Sequence, residues 1–96
     1  FFCIPGNQEL HLKKAAAASG CNRIHLVPVA RLKPLTGYVR GGCSPLGMSH
    51  RYPTFVDEVS LLYEEVLVSA GRRGLQVRLS PDDLLAAADA HIADLV

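Results

Sequence analysis

The residue types best suited to chemistry are concentrated in residues 36–47, which read TGYVRGGCSPLG. Cys43 and Ser44 carry nucleophilic groups, but nucleophilic catalysis needs a base within hydrogen-bond reach. Of the four histidines, only His50 is close in sequence. The flanking residues match neither GxSxG nor the phosphate-binding patterns GxxxxGK[ST] and GxGxxG. The residues alone therefore favour Cys43 as a small apolar filler and Ser44 as a side chain that bonds to nearby backbone.

Gly41 and Gly42 offer a different chemistry, because they leave main-chain N–H and C=O groups uncovered by side chains. Such groups can bind a small ligand or stabilise a developing oxyanion. Pro45 would restrict the shape of this loop, since its φ angle is fixed. A plain structural turn explains the same pattern equally well. Both interpretations stay open at this point.

Charge and metal-binding patterns exclude several kinds of site. Ten basic and nine acidic residues give a net charge of +1, so no strong overall field attracts nucleic acid. The scattered histidines and the three widely spaced cysteines form no metal-binding pattern, and we expect no metal or cofactor. Free thiols are typical of a reducing, cytoplasmic compartment. Basic residues in or next to glycine-containing turns could contact phosphates locally, although solvated turn charge is the simpler interpretation. These residues are Arg40, His50, Arg51, Arg72 and Arg73.

The elements that must position this loop alternate between strands and helices, and 96 residues are enough for one domain. The apolar stretch FFCIP predicts a buried strand that ends in a turn. Residues 8–20 favour a helix that ends at Gly20. The alternation in RIHLVP, residues 23–28, predicts a second strand. Residues 29–38 allow one helical turn, which Pro34 limits.

The second half of the chain gives clearer signals. TFVDE predicts a short strand, and residues 64–80 predict a β-hairpin in which Gly71 and Gly74 adopt positive φ angles. Ser80 is suited to the N-cap of a last helix and Pro81 to its first position. The apolar stripe of that helix would be Leu84, Leu85, Ala88 and Ile92. Interleaved strands and helices predict an α/β fold of the α+β type, with a mixed sheet and helices packed on it.

The chain resembles the YbaK family of aminoacyl-tRNA editing proteins from Phe2 to Val96. The segments that carry the resemblance are LKKAAAASG, TGYVRGGCSPLG, VDE, VSAGRRGLQVRLSPDDL and ADLV. The resemblance implies a mixed, curved, barrel-like β-sheet with helices packed around it. It implies an activity in which a wrongly attached amino acid is removed from tRNA, with Cys-tRNA(Pro) as the main substrate. The implied partners are the tRNA acceptor end and prolyl-tRNA synthetase, and no cofactor is implied.

The resemblance also assigns site residues. The family's Gly-x-x-x-Pro element falls on Gly41 to Pro45. Backbone groups of Gly41 and Gly42 would act on the aminoacyl ester. With tRNA as the substrate, the phosphate contacts proposed above from turn position, by the arginines and His50, would be contacts to tRNA. For a cysteinyl substrate, the substrate's own thiol would attack the ester, which makes the step a cyclisation rather than a hydrolysis. The implied substrate-binding residues are Thr36, Gly37, Gly41, Gly42, Cys43, Ser44, Pro45 and Gln76.

The chain departs from the family pattern at two points. The family has a functional lysine on a strand that would precede FFCIP, so residues 1–96 are expected to be the later two-thirds of a single editing domain. Cys43 stands where the family usually has Val, Ile or another small residue. Two alternatives follow: a deacylase for another misacylated tRNA such as Ala-tRNA(Pro), or a module that binds tRNA or a synthetase without catalysis.

Overall fold

A computed structural model describes residues 1–48 and 51–96 of the chain. Helices and strands are interleaved, as the sequence predicts. In chain order the elements are β1 (Phe2–Cys3), α1 (Leu12–Ser19), α2 (Val29–Thr36), β2 (Phe55–Asp57), a 3₁₀ helix (Glu58–Leu62), β3 (Val66–Arg72), β4 (Leu75–Leu79), α3 (Pro81–Ala88) and β5 (His91–Ala93).

Three short strands form a parallel sheet with β2 between β1 and β5. Phe55 of β2 is level with Phe2 of β1, and their rings stack with centroids 5.6 Å apart. The predicted strand in FFCIP is therefore present, although its side chains are half-buried rather than buried. Parallel neighbours need a crossover connection. The crossover from β1 to β2 contains α1, α2 and the glycine-rich residues 36–47.

The predicted hairpin is confirmed as an antiparallel pair of β3 and β4, in which Val66 is opposite Leu79 and Val68 is opposite Val77. Gly71 and Gly74 have φ angles of +93° and +77°. These values lie in the left-handed region that glycine adopts without steric cost. The two sheets are separate in the described residues, so the strands form neither one mixed sheet nor a closed barrel.

The hydrophobic core lies between the parallel sheet and α3. Val56 of β2 and Leu84 and Ala88 of α3 are buried in contact with one another. Leu46, from the end of the glycine-rich segment, packs against this cluster. Burial of a leucine side chain contributes about 1.5–3 kcal/mol when it is complete. One end of the glycine-rich segment is therefore anchored to the core.

Capping interactions define two of the helices as the sequence predicts. The Ser80 hydroxyl accepts a hydrogen bond from the Asp83 N–H at 3.1 Å, and Pro81 occupies the first turn of α3. Gly20 ends α1 with a φ angle of +72°. Ala15 and Ala16 are the buried residues of α1, so this helix packs closely through small side chains.

Residues 23–28 were predicted to form a strand, and this prediction is wrong. The segment has no regular secondary structure, and Leu26 is 73% exposed. A strand is stabilised by hydrogen bonds to a neighbouring strand, and alternation of apolar residues does not supply one. In the described residues, this segment has no strand neighbour. Its apolar side chains instead border a groove that is described below.

Two further boundaries differ from the sequence-based expectation. Helix α2 runs through Pro34 to Thr36, well beyond the single turn expected. Helix α3 ends at Ala88, because Asp89 adopts a left-handed conformation with φ +49°. Residues 91–93 then form β5 beside β2, so Ile92 packs from a strand and not from the helix stripe. Pairing with β2 overrides the helical pattern.

No helix within residues 1–48 and 51–96 has both the length and the apolar character needed to cross a membrane.

Candidate active site

The glycine-rich segment and the turn of the β3–β4 hairpin are in direct contact. The Arg73 Nε–H donates a hydrogen bond to the Arg40 carbonyl oxygen at 2.7 Å. A Cβ atom added to Gly42 would lie 3.3 Å from the Arg73 backbone nitrogen and 3.4 Å from backbone carbons of Arg72. Such distances are too short for a relaxed contact with backbone, which cannot move away as a side chain can. Glycine at position 42 therefore permits the two segments to approach this closely.

Tyr38 makes a second connection between the same segments. A Cβ atom added to Gly71 would lie 3.2 Å from the Tyr38 ring. The Tyr38 hydroxyl donates a hydrogen bond to the Leu46 carbonyl oxygen at 3.3 Å. The Tyr38 ring thus contacts the hairpin at Gly71, and its hydroxyl bonds to the far end of its own segment at Leu46. The motifs TGYVRGGCSPLG and AGRRG, which are well separated in sequence, form one packed unit.

The two adjacent glycines differ in what their backbone offers. Gly42 is buried, and its N–H donates to the Val39 carbonyl oxygen at 2.9 Å, which closes a turn. Gly41 is exposed and has a φ angle of +86°. The N–H groups of Gly41 and Cys43 have no acceptor within the described ranges 1–48 and 51–96. The N–H groups of Arg40 and Ser44 likewise have no acceptor there. The turn therefore offers a ligand several backbone donors, among them the two that flank Gly42, those of Gly41 and Cys43.

The side chains of Cys43 and Ser44 are not placed as nucleophiles. Ser44 is completely buried, and its hydroxyl oxygen accepts a hydrogen bond from the Leu46 N–H at 3.1 Å. This confirms the interpretation of Ser44 as a partner of local backbone. The Cys43 sulfur lies 3.6 Å from the Val39 carbonyl oxygen. Burial raises the pKa of the Cys43 thiol above its ordinary value of 9.0, so the reactive thiolate is disfavoured.

Thr36 and Cys43 border an apolar groove with a volume of about 430 Å³. This volume lies within the range of small-molecule sites, about 300–1,000 Å³. Aromatic and aliphatic side chains dominate its walls. The lining residues are Phe1, Phe2, Leu10, Ser19, Ile24, His25, Leu26, Val27, Leu32, Leu35, Thr36, Cys43, Tyr52, Pro53 and Phe55.

The remaining residues of the predicted pocket wall have structural roles that the geometry makes clear. The Thr36 hydroxyl donates to the Leu32 carbonyl oxygen at 2.8 Å and accepts from the Tyr38 N–H at 3.1 Å. Gly37 ends α2 with a φ angle of +80°. Pro45 is buried. Of these residues, Thr36 borders the groove.

The predicted tRNA contacts fall into separate groups. Arg40, Arg72 and Arg73 lie together where the glycine-rich segment meets the hairpin turn. Arg51 borders another cleft, together with Asp89 and His91. His50 lies outside the described residues.

Gln76 was predicted to border the substrate pocket from the strand after the hairpin turn. It is exposed on β4, opposite Ser69, and does not line the groove. Its role stays a prediction. Sequence reasoning did not single out Tyr38, although the TGY triplet contains it. Within the described ranges, no group of three or more His, Cys, Asp or Glu side chains is placed to hold a metal ion.

Comparison with known proteins identifies the family. The family model described as "Aminoacyl-tRNA editing domain" matches residues 1–87. The chain belongs to this family. The matched range includes both segments of the candidate site, so the contact between the glycine-rich segment and the hairpin is part of an editing domain.

Individual editing-domain relatives agree in fold and sequence. An Enterococcus faecalis protein provisionally named Cys-tRNA(Pro)/Cys-tRNA(Cys) deacylase EbsC is 45% identical over 92 residues, which cover 96% of this chain and 56% of the relative. A crystal structure described as that of a provisional trans-editing enzyme for prolyl-tRNA synthetase matches with a TM-score of 0.87 and 33% identity, over 98% of this chain and 59% of the other. The hypothetical protein APE2540 matches with a TM-score of 0.85 and 26% identity, over 98% and 63% of the respective chains.

The chain thus spans about three-fifths of the length of these relatives. The editing-domain fold is established for the part that is compared. The high TM-scores extend over nearly all of this chain, including the loop and the hairpin that form the candidate site.

Proposed function

We propose that the protein deacylates mischarged tRNA in the cytoplasm, with Cys-tRNA(Pro) as its main substrate and prolyl-tRNA synthetase as a partner. The observation that carries this proposal is a turn with unused backbone donors, among them Gly41 N–H and Cys43 N–H, whose residue Cys43 lines the apolar groove. Family membership gives that geometry its reaction class. The names of the relatives, which concern Cys-tRNA and prolyl-tRNA synthetase, favour this substrate and this partner.

The chemistry follows from the state of the substrate. An aminoacyl ester is already activated, so a protein nucleophile is not required. When the ester carbonyl is attacked, negative charge develops on its oxygen, and backbone N–H donors in fixed positions stabilise that charge. One such donor typically accounts for a factor of about 10²–10³ in rate. In this proposal Gly41 and Cys43 donate, while Gly42 fixes the turn from which they do so.

The groove would bind the nucleoside that carries the ester. Its walls include Phe1, Phe2 and Phe55, and aromatic side chains bind nucleobases by stacking. Cys43 belongs both to the groove lining and to the turn with the free donors. A terminal adenosine in the groove would therefore place its ester bond next to these donors. This positioning converts the attack into an effectively intramolecular step.

Two fates of a cysteinyl ester are compatible with the same donors. In hydrolysis, water adds to the carbonyl, the bond to the ribose 3′ oxygen breaks, and free cysteine leaves. In cyclisation, the substrate's own sulfur adds to the carbonyl, the same bond breaks, and the thiol proton passes to the ribose oxygen. We favour cyclisation for cysteine, because its thiol is covalently tethered to the carbonyl that it attacks, whereas a water molecule has to be bound and positioned separately. Trapping of a thiolactone in the first turnover, in place of free cysteine alone, is the expected result.

The proposed function is tested by incubating the protein with Cys-tRNA(Pro), Ala-tRNA(Pro) and Pro-tRNA(Pro). We expect deacylation of Cys-tRNA(Pro) to exceed its spontaneous rate by at least about 10², the contribution of one oxyanion donor. If Ala-tRNA(Pro) is cleaved faster than Cys-tRNA(Pro), the proposed reaction stands but Ala-tRNA(Pro) becomes the main substrate. If none of the three is cleaved faster than spontaneously while the tRNA still binds, the chain is a binding module and the enzymatic proposal is wrong.

A further inference from the structure

Arg73 spans the contact between the hairpin turn and the glycine-rich segment. Its Nε–H donates to the Arg40 carbonyl oxygen at 2.7 Å, and its Cγ would lie 3.5 Å from a Cβ atom added to Gly41. A guanidinium group carries five N–H donors, of which this hydrogen bond uses one. The donors on the two terminal nitrogens have no acceptor within residues 1–48 and 51–96. The Arg73 side chain is therefore fixed through its Nε atom, while its two terminal nitrogens are available to a ligand.

Arg40 and Arg72 increase the positive charge around Arg73. All three side chains are exposed, and none forms an ion pair in the part of the chain that the structure describes. Three positive charges on two touching turns contrast with a net charge of only +1 for the whole chain. An anion that meets more than one of these groups would form charge-assisted hydrogen bonds with them.

We propose that Arg73, held by the Arg40 carbonyl and flanked by Arg72, binds a backbone phosphate at the 3′ end of RNA. This inference rests on the proposed function and names a further part of the same site. A guanidinium fork matches a phosphate with two parallel hydrogen bonds. Because the Arg73 stem is already ordered over Gly41, binding costs less conformational entropy than for a free surface arginine.

The position of Arg73 relative to the groove supports the assignment to the terminal nucleotide. The Arg73 stem covers Gly41, and Cys43, two residues later in the same loop, borders the groove. In RNA, the phosphate nearest to the ester is attached to the 5′ carbon of the same ribose. A nucleoside in the groove and its phosphate at Arg73 would thus be bound by adjacent parts of one loop.

Binding of an RNA oligonucleotide that ends in CCA and carries no amino acid tests the phosphate contact without any reaction. We expect Arg73→Ala to weaken binding by about tenfold, the amount that one charge-assisted contact is worth. The salt dependence should fall by about 0.7 in the slope of log K against log salt, as for one phosphate of a single strand. Arg78→Ala is the matched control, because Arg78 is an exposed arginine on β4 of the same hairpin. Equal affinities of the two variants would overturn the proposal.

A phosphate-free substrate distinguishes phosphate binding from mere support of the loop. With aminoacylated RNA, Arg73→Ala should raise KM by about tenfold with little change in kcat, as loss of one charge-assisted contact predicts. With the cysteinyl ester of adenosine, which has no phosphate, Arg73→Ala should lose clearly less activity than with aminoacylated RNA, because only the hydrogen bond to Arg40 is then missing. An equal loss on both substrates would mean that Arg73 only supports the loop, and the proposal would be wrong.

The two proposals can fail separately. If the unmodified protein deacylates no tRNA but Arg73→Ala still loses RNA binding, the enzymatic function fails and the phosphate site stands. If the protein deacylates tRNA but Arg73→Ala binds RNA as well as Arg78→Ala does, the enzymatic function stands and the phosphate site fails. Should Arg73→Ala not fold, Arg73→Lys replaces it, with Arg78→Lys as its control. Lysine keeps the charge but lacks the Nε–H that bonds to Arg40, so a several-fold weaker affinity is still expected.

Discussion

At the scale of single residues, the groups available to a ligand in the glycine-rich segment are backbone N–H groups and not the reactive side chains of Cys43 and Ser44. Cys43 has the most reactive side chain of its segment, yet burial raises the pKa of its thiol above 9.0. Ser44 is fully buried and bonded to the Leu46 N–H. Backbone N–H groups of the same turn, including those of Gly41 and Cys43, have no acceptor within residues 1–48 and 51–96. Every residue except proline has a backbone N–H group, so residue type alone does not reveal a site of this kind.

Replacement of the Cys43 side chain tests this conclusion. Cys43→Val keeps the backbone N–H and an apolar side chain of similar size. We expect deacylation to stay within about threefold of the unmodified protein, since volume-conserving apolar changes cost little. The pH profile between 7 and 9 should also be the same for both, because the Cys43 thiol takes no part in the proposed reaction and burial raises its pKa, which disfavours the thiolate. Kinetics at several pH values provide the measurement.

Loss of most of the activity in Cys43→Val, or loss of an alkaline limb of its pH profile, would instead assign the thiol a direct role. Ser44→Ala is less informative as a control, because it removes a buried hydrogen bond to Leu46 and would lower stability for that reason alone.

At the scale of elements, the site depends on the contact between the glycine-rich segment and the hairpin turn. Gly42 has no unusual φ angle, so its importance lies in the space it leaves for the backbone of Arg72 and Arg73. We expect Gly42→Ala to destabilise the fold by about 1–3 kcal/mol, as overpacking does. Deacylation should fall as well, because the turn that carries the free donors is displaced. Denaturant unfolding and kinetics provide the two measurements.

Gly6→Ala is the matched control for this element. Gly6 also lacks a positive φ angle, and a Cβ atom there would meet nothing within 4 Å. The same change of residue type should therefore leave both stability and activity nearly unaltered. If Gly42→Ala is as harmless as Gly6→Ala, the close approach of the two segments does not matter to the site.

The sequence predicts those elements that local signals specify. The hairpin has glycines at both ends of its turn, and α3 has Ser80 and Pro81 at its start, and the structure confirms both. The predictions for residues 23–28 and for the end of α3 failed, since strand pairing depends on neighbours distant in sequence. The contact between Gly42 and Arg73 is also non-local. Residue patterns left a ligand loop and a plain turn equally plausible, and only the family resemblance indicated the site.

At the scale of the whole molecule, the glycine-rich segment contacts two different surfaces. Cys43 lines a groove of about 430 Å³, and Arg40 belongs to a basic cluster with Arg72 and Arg73. In our proposals the groove binds the nucleoside and the basic cluster binds a phosphate. This division matches the end of an aminoacyl-tRNA, where an ester, a base and a phosphate occur within one nucleotide. The chain spans about three-fifths of its relatives, so the activity of a complete relative is a proposal that experiment has to test.

The central claim is that backbone donors of the glycine-rich segment act on the ester, and one pair of variants tests it most directly. Gly41 and Gly47 lie in the same segment with φ angles of +86° and +63°, so alanine strains the backbone at both positions, by about 1–2 kcal/mol. A Cβ atom at Gly47 would meet nothing within 4 Å, and Gly47 is not a donor in the proposed site. The measurement is single-turnover deacylation of Cys-tRNA(Pro). We predict that Gly41→Ala reduces the rate by at least about tenfold relative to Gly47→Ala, since a displaced donor costs up to 10²–10³. Equal rates for the two variants would contradict the account.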